Sequence, residues 1–142
     1  MPRALQTTAR IAGAYAEAWA GRDVDQILSF HSRQTRFEAS ALGQRAEGRA
    51  AVAEAFRQMF KLWPDLRFDV QRRHVSSGLI VFESLATCTL AAPFELAGRL
   101  LRPNGRPVSI AVADILAVKG GRIASKLSYF DALGYVTAMA AP

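Results

Sequence analysis

The sequence predicts an α+β fold in which helices come first and a curved, mostly antiparallel sheet wraps around them. In the two long helices predicted before Trp63 the apolar residues recur with helical spacing, whereas from Leu66 onward they alternate with the period of two that is typical of strands. Pro64 marks the change, because proline disfavours the helical conformation in the residue before it. No repeat or linker interrupts the 142 residues, so we expect a single domain over residues 1–142.

Three helices are expected in the first half of the chain. In the first, over residues 5–20, Ile11, Tyr15 and Trp19 are spaced four apart and therefore share one face. Asp23 can cap a short second helix. A third helix is predicted over about residues 49–62, with an apolar stripe made by Val52, Ala55, Phe56, Met59 and Phe60.

Strands are expected over residues 34–39 and then throughout the second half. Residues 40–48 contain two glycines and are predicted to form a loop. The turn Ser76-Ser77-Gly78 precedes a long apolar strand over residues 79–90. Two further strands are expected within 108–131, and residues 132–139 are predicted to close the chain as a short helix or arm.

Asp114 is the only charge in the middle of the strand that begins at Val108. Alternation places it on the face that carries the branched apolar side chains, beside Val112 and Leu116. A buried carboxylate is costly unless it raises its pKa, finds partners or faces a cavity. Asp114 is therefore a candidate oxyanion donor or acid–base group, or else a structural carboxylate held by Tyr15, a serine or the backbone.

The composition excludes several classes of function. The net charge of +6 comes mostly from arginines that are spread along the chain without interleaved aromatic residues, so a solvated surface is expected rather than nucleic-acid binding. No apolar run could span a bilayer and no secretion signal is evident, so a cytoplasmic protein is expected. The spacing of His31, His74 and Cys88 does not suggest a metal site, and without a nucleotide motif no cofactor is expected.

Four stretches carry a resemblance to a known superfamily: AYAEAWAGRDVDQILSF, WPDLRFDV, GRPVSIAVADILAVKGGRI and YFDALG. They resemble, in the same order, the NTF2-like superfamily and especially its branch of SnoaL-like polyketide cyclases and ketosteroid isomerases. The resemblance implies a cone in which N-terminal helices pack on a strongly curved sheet around a deep pocket. It also implies a homodimer formed through the sheet.

Residue by residue, the resemblance transfers only part of the catalytic machinery. Tyr15 and Asp114 match the positions of the oxyanion hole of ketosteroid isomerases. The isomerase base matches Ala39, while Glu38, one residue away, is expected on the other face of its strand. The SnoaL-type base matches Ser128, whose hydroxyl is too weak to deprotonate carbon unaided.

The residues expected to line the pocket favour a flat, hydrophobic ligand. They are Trp19, Phe56, Met59, Phe60, Trp63, Ser128 and Ala39. The expected partner is a small hydrophobic, carbonyl-bearing molecule, with no nucleic acid and no membrane. One hypothesis is an isomerase-, cyclase- or dehydratase-type enzyme that uses Tyr15 and Asp114. The alternative is a non-catalytic binding or interaction module that lacks the family's base.

Three other polar residues are ambiguous in the sequence. Lys126 shares a strand face with Ser128 and would be a base or Schiff-base amine if it were desolvated, but we expect it at the exposed sheet surface or in a dimer interface. His31 is expected to be a helix cap or a surface group. The side chain of Asp131 is expected to point to the face opposite to that of Ser128 if the strand continues that far.

Overall fold

The computed structural model describes residues 2–141, and its helices agree closely with those expected. The apolar stripe of each long helix faces the sheet, and the Asp23 carboxylate caps the short second helix by accepting a hydrogen bond from the Gln26 backbone N–H. In chain order the helices are α1 (Arg3–Ala20), α2 (Val24–Leu28), α3 (Arg49–Leu62) and α4 (Ala132–Ala140).

The strands form one large mixed sheet and one small hairpin. They are β1 (His31–Ala39), β2 (Gln44–Glu47), β3 (Arg67–Ser76), β4 (Leu79–Cys88), β5 (Phe94–Leu96), β6 (Arg99–Leu101), β7 (Val108–Lys119) and β8 (Arg122–Phe130). The large sheet has the order β2-β1-β8-β7-β4-β3, and β5 pairs with β6. Every neighbouring pair is antiparallel except β1 and β8, which are parallel. The predicted α+β class and mostly antiparallel sheet are therefore confirmed.

The segment over residues 40–48 differs from the predicted loop. It contains a 3-10 turn at Ser40–Leu42 and then β2, which pairs with β1 from Arg36 opposite Glu47 to Ala39 opposite Gln44. The sequence of β2, QRAE, has one apolar residue and so lacks the alternation that predicts a strand. Pairing with the edge of the sheet satisfies its backbone instead.

The register of three neighbouring strands positions the site. Asp114 on β7 lies opposite Ser128 on β8, which in turn lies opposite Ala39 on β1. In the next inward-facing row, Lys126 lies between Leu116 on β7 and Phe37 on β1. Residues directly opposite each other in a sheet share a face, so both rows face the helices.

The helices and the sheet enclose two clusters of buried apolar side chains. One cluster includes Tyr15 and Trp19 of α1, and the other includes Trp63 after α3 and Tyr135 of α4. Met59 and Phe68 pack against both clusters. Among residues 2–141, no helix has the length and apolar character needed to cross a membrane.

Candidate functional site

A cavity lies between the inner face of the sheet and the helices. Its empty volume is about 620 Å³, which includes the open solvent at its mouth. The lining is apolar apart from Asp114, Lys126 and Ser128. At the Trp63–Tyr135 contact in the wall, the Trp63 Nε1–H donates to the Tyr135 hydroxyl at 3.0 Å, so these polar atoms satisfy each other.

The three polar side chains of the lining are bonded to one another. Asp114 Oδ1 accepts a hydrogen bond from the Ser128 hydroxyl at 2.5 Å and lies 3.5 Å from Lys126 Nζ. Asp114 is 6% exposed and Lys126 is 4% exposed, so this is a buried ion pair rather than a surface one. The Lys126 ammonium also lies 4.6 Å from the centroid of a Trp19 ring, within cation–π range.

The burial of Lys126 is a correction to the sequence prediction, which placed it at an exposed surface or an interface. The alternation of β8 puts Lys126, Ser128 and Phe130 on the inner face, and all three line the cavity. Burial lowers the pKa of Lys126 because the ammonium loses its hydration, and the Asp114 carboxylate opposes this effect. The sequence does carry an indication of this burial, because Lys126, Ser128 and Phe130 are spaced two apart and therefore share one face of β8.

A second polar group lies next to the ion pair. The Tyr15 hydroxyl and His31 Nε2 are 2.8 Å apart, and His31 Nδ1 and the Thr35 hydroxyl are also 2.8 Å apart. His31 is fully buried, so the expectation of a helix cap or surface group is wrong. The reason is that β1 begins at His31 and directs its ring into the core beside Phe56.

The electrostatic surroundings keep both partners of this second group neutral. Burial, with smaller effects from the positive charges of Lys126 and Arg49, lowers the pKa of His31 to about 3. Burial also raises the pKa of Tyr15 far above its ordinary value; the nearby Trp19 indole opposes this rise and the charge of Asp114 adds to it. The hydroxyl of Tyr15 is therefore engaged with a neutral histidine rather than with Asp114, the partner expected from the sequence.

Tyr15 borders a different cavity from the one described above. This smaller cavity has an empty volume of about 420 Å³ and is also lined by Trp19, Ser84, Asp114 and Lys126. The ion pair thus forms a common wall between the two cavities, with the larger apolar one on one side and the Tyr15 side on the other.

The structure places the predicted pocket residues in two groups. Trp19, Ala39, Met59, Trp63 and Ser128 line the large cavity together with Asp114. Phe56 and Phe60 do not, and this corrects the prediction for both. The centroid of the Phe56 ring lies 4.9 Å from that of Trp19 and 5.0 Å from that of Phe37, and both of these residues form the cavity wall. The Phe60 ring packs on Trp19, with 5.6 Å between their centroids.

The remaining candidate acids do not reach the cavity. Glu38 pairs with Arg45 at 3.2 Å on the other face of β1, as the alternation predicted. The strand β8 ends at Phe130, and the Asp131 carboxylate caps α4 by accepting a hydrogen bond from the Gly134 N–H at 2.8 Å. Over residues 2–141 no three His, Cys, Asp or Glu side chains are grouped so that they could hold a metal ion.

Comparisons with known proteins agree with this architecture. A model of the SnoaL-like domain family matches residues 12–126. None of the curated proteins is significantly similar to the chain in sequence. Several solved structures are similar in fold.

Three of these structures illustrate the similarity. A hypothetical protein of ketosteroid isomerase-like fold from Catenulispora acidiphila DSM 44928 has a TM-score of 0.78 and 15% identity, covering 95% of both chains. A SnoaL-like polyketide cyclase from Agrobacterium tumefaciens C58 has a TM-score of 0.73 and 19% identity, covering 91% of this chain and 94% of its own. A candidate SnoaL-like polyketide cyclase from Jannaschia sp. CCS1 has a TM-score of 0.77 and 21% identity, covering 98% and 92%. At these identities the likeness establishes the fold.

Proposed function

This chain belongs to the SnoaL-like domain family, and we propose that it binds a small, mostly apolar carbonyl compound in the large cavity. The observation that carries the proposal is the buried pair of Asp114 and Lys126 in a lining that is otherwise apolar. Apolar walls favour a hydrophobic body, and a few convergent polar groups orient it. The polyketide cyclases among the similar structures are consistent with a ligand of this type.

Lys126 is the residue that we expect to donate a hydrogen bond to the ligand's oxygen. An ammonium group has three N–H donors, and its ion pair with Asp114 leaves donors for an incoming acceptor. A carbonyl oxygen satisfies such a donor without adding charge. A carboxylate would instead meet the negative charge of Asp114 in a region of low dielectric. The site therefore favours a neutral ketone or aldehyde over an organic acid.

The same arrangement supports enolisation of the bound compound. When a proton leaves the carbon next to a carbonyl, negative charge develops on the oxygen, and the Lys126 ammonium is positioned to stabilise that charge. The Asp114 carboxylate is the acceptor for the departing proton. This assignment differs from the pair expected from the sequence, since Lys126 takes the place of Tyr15 as the group that stabilises the oxygen.

A non-catalytic binding protein is the second candidate function. The observation that favours it is that Asp114 is already engaged, since its Oδ1 accepts a hydrogen bond from the Ser128 hydroxyl and pairs with Lys126 Nζ. The resemblance also matches Ala39 to the base of ketosteroid isomerases and Ser128 to the base of SnoaL-type cyclases, and neither residue can act as that base. In this case the cavity binds its ligand and leaves the carbon–hydrogen bonds intact.

The binding of acetophenone and of its isosteric hydrocarbon α-methylstyrene tests the proposal. Trp19 and Trp63 line the cavity, so their fluorescence reports its occupancy. A hydrogen bond from a charged donor is worth about 1.5–3 kcal/mol, so the ketone should bind about tenfold tighter or more. The neutral double variant Asp114→Leu/Lys126→Met removes the charged donor and should lose most of this preference for the ketone.

Equal affinity of the native protein for ketone and hydrocarbon would contradict the proposal. In D₂O, nuclear magnetic resonance of the bound ketone's methyl protons separates the two candidate functions. Loss of the methyl signal that depends on Asp114 indicates enolisation, whereas saturable binding without exchange supports the non-catalytic function.

A further inference from the structure

We propose that the Lys126 amine forms a covalent imine with aldehydes or ketones that enter the large cavity. This inference rests on the proposed function, because the carbonyl carbon must first be brought to Lys126. It adds a covalent site and a definite chemistry to what is otherwise a binding cavity. Three features of the structure support it: the location of Nζ, its surroundings and the proton acceptor beside it.

The location of Lys126 sets it apart from the other cationic residues. The chain has fifteen arginines and three lysines, and the other two lysines, Lys61 and Lys119, are exposed. Lys126 alone among the three lysines is buried and lines a cavity. An arginine at this position would remain protonated in any protein environment, whereas a lysine can lose its proton when it is desolvated.

Burial opposes the charged form of Lys126 and lowers its pKa, which raises the share of free amine, the nucleophilic form. The rings of Trp19 and Tyr15, whose centroids lie 4.6 and 5.5 Å from Nζ, contribute to this burial. Their attraction and that of Asp114 act in the other direction and hold the ammonium in place until it gives up its proton. The Asp114 carboxylate, 3.5 Å from Nζ, is the acceptor for the proton that the amine releases.

The chemical step balances without any further reactant. Lys126 transfers one proton to Asp114, and the free amine adds to the carbonyl carbon to give a carbinolamine. Asp114 returns the proton, the carbinolamine loses its oxygen as water, and the nitrogen keeps one hydrogen as a protonated imine. The three hydrogens of the ammonium thus end as two in water and one on the imine. The regenerated carboxylate of Asp114 balances the positive charge of the imine.

Reductive trapping tests this proposal directly. The native protein is incubated with benzaldehyde and sodium cyanoborohydride, which converts an imine into a stable benzyl amine, and the modified lysines are located by peptide mass mapping. Because Lys126 lines the cavity that binds benzaldehyde and its burial lowers its pKa, Lys126 should be modified faster than the exposed Lys61 and Lys119. A cavity-filling hydrocarbon should protect Lys126 and not the other two.

Two variants complete the design. Lys126→Arg keeps the charge beside Asp114 and should still bind benzaldehyde, as seen by tryptophan fluorescence, but should show only slow modification of Lys61 and Lys119. Lys61→Arg/Lys119→Arg should be trapped at Lys126 as fast as the native protein. Saturable binding of benzaldehyde with Lys126 modified no faster than the exposed lysines would overturn the imine and leave the proposed function standing. A complete failure of benzaldehyde to enter the cavity would contradict both.

Discussion

Asp114 and Lys126 are each improbable in a protein core, and each accounts for the presence of the other. Removing one partner of a buried ion pair leaves an uncompensated charge, which is far more costly than exchanging both for neutral groups. Here the pair is supplemented by the Ser128 hydroxyl and by the Trp19 ring. The apolar cavity can therefore hold both charged groups, because each charge is neutralised by the other.

His31 provides a prediction about pH at the scale of a single residue. Its pKa is about 3 in the folded protein against about 6.5 in an unfolded chain, so between these values only the unfolded chain binds the proton. Stability is then present above about pH 6.5 and falls as the pH drops toward 3. Between pH 7 and pH 4.5 the free energy of unfolding should fall by about 2–3 kcal/mol on account of His31.

Urea denaturation of the native protein and of His31→Gln at both pH values measures this effect. Glutamine keeps a polar partner for the Tyr15 hydroxyl but does not titrate. The carboxylates contribute equally to both proteins, so the difference between them isolates His31. An equal loss of stability in the two proteins on going to pH 4.5 would show that His31 is not held neutral by the fold.

At the scale of elements, the site depends on how β1, β8 and β7 lie side by side. The period of two in β7 was enough to predict the inner face of Asp114. It was not enough to predict that Lys126 is buried. That burial depends on β1, which is far away in the chain and lies beside β8 as its parallel neighbour. The partner of Tyr15 was missed for the same reason, since the fold, rather than local sequence, brings His31 against α1.

The outer face of the sheet leads to a proposal about assembly. Small residues of β7, Ala111 and Ala113, lie between Leu85 of β4 and Tyr129 of β8, which are 41% and 48% exposed. We propose that a second copy of the chain covers this apolar patch, with the same patch on both copies as a two-fold dimer requires. This patch is the surface that we assign to the homodimer expected through the sheet.

Sedimentation velocity measures the assembly. The native protein should sediment as a dimer at micromolar concentration. Ala113→Arg, which places a charge in the middle of the patch, should sediment as a folded monomer, while the matched Ala113→Ser should remain a dimer. A native protein that is monomeric throughout this range, or a dimer that is indifferent to Ala113→Arg, would rule out this surface.

At the scale of the whole molecule, the order of helices and strands was predictable because each element's periodicity is local. The α3 helix ends at Leu62, directly before Trp63-Pro64-Asp65, as predicted. The α1 helix carries its aromatic stripe on the inner face. The cavity was not predictable in the same detail. Whether an aromatic side chain lines a cavity or packs behind another depends on distances between elements, which is why Trp19 faces the space and Phe56 lies behind it.

We propose above all that the cavity holds a carbonyl compound with its oxygen at the buried ion pair. A crystal structure of the acetophenone complex is the decisive experiment. We expect the ketone oxygen to lie about 2.7–3.2 Å from Lys126 Nζ, or Nζ to have replaced it in an imine, with the ring among the apolar walls. A ring directed at Asp114 and Lys126 with the oxygen at the mouth, or a ligand bound outside this cavity, would show that the ion pair does not bind the carbonyl oxygen.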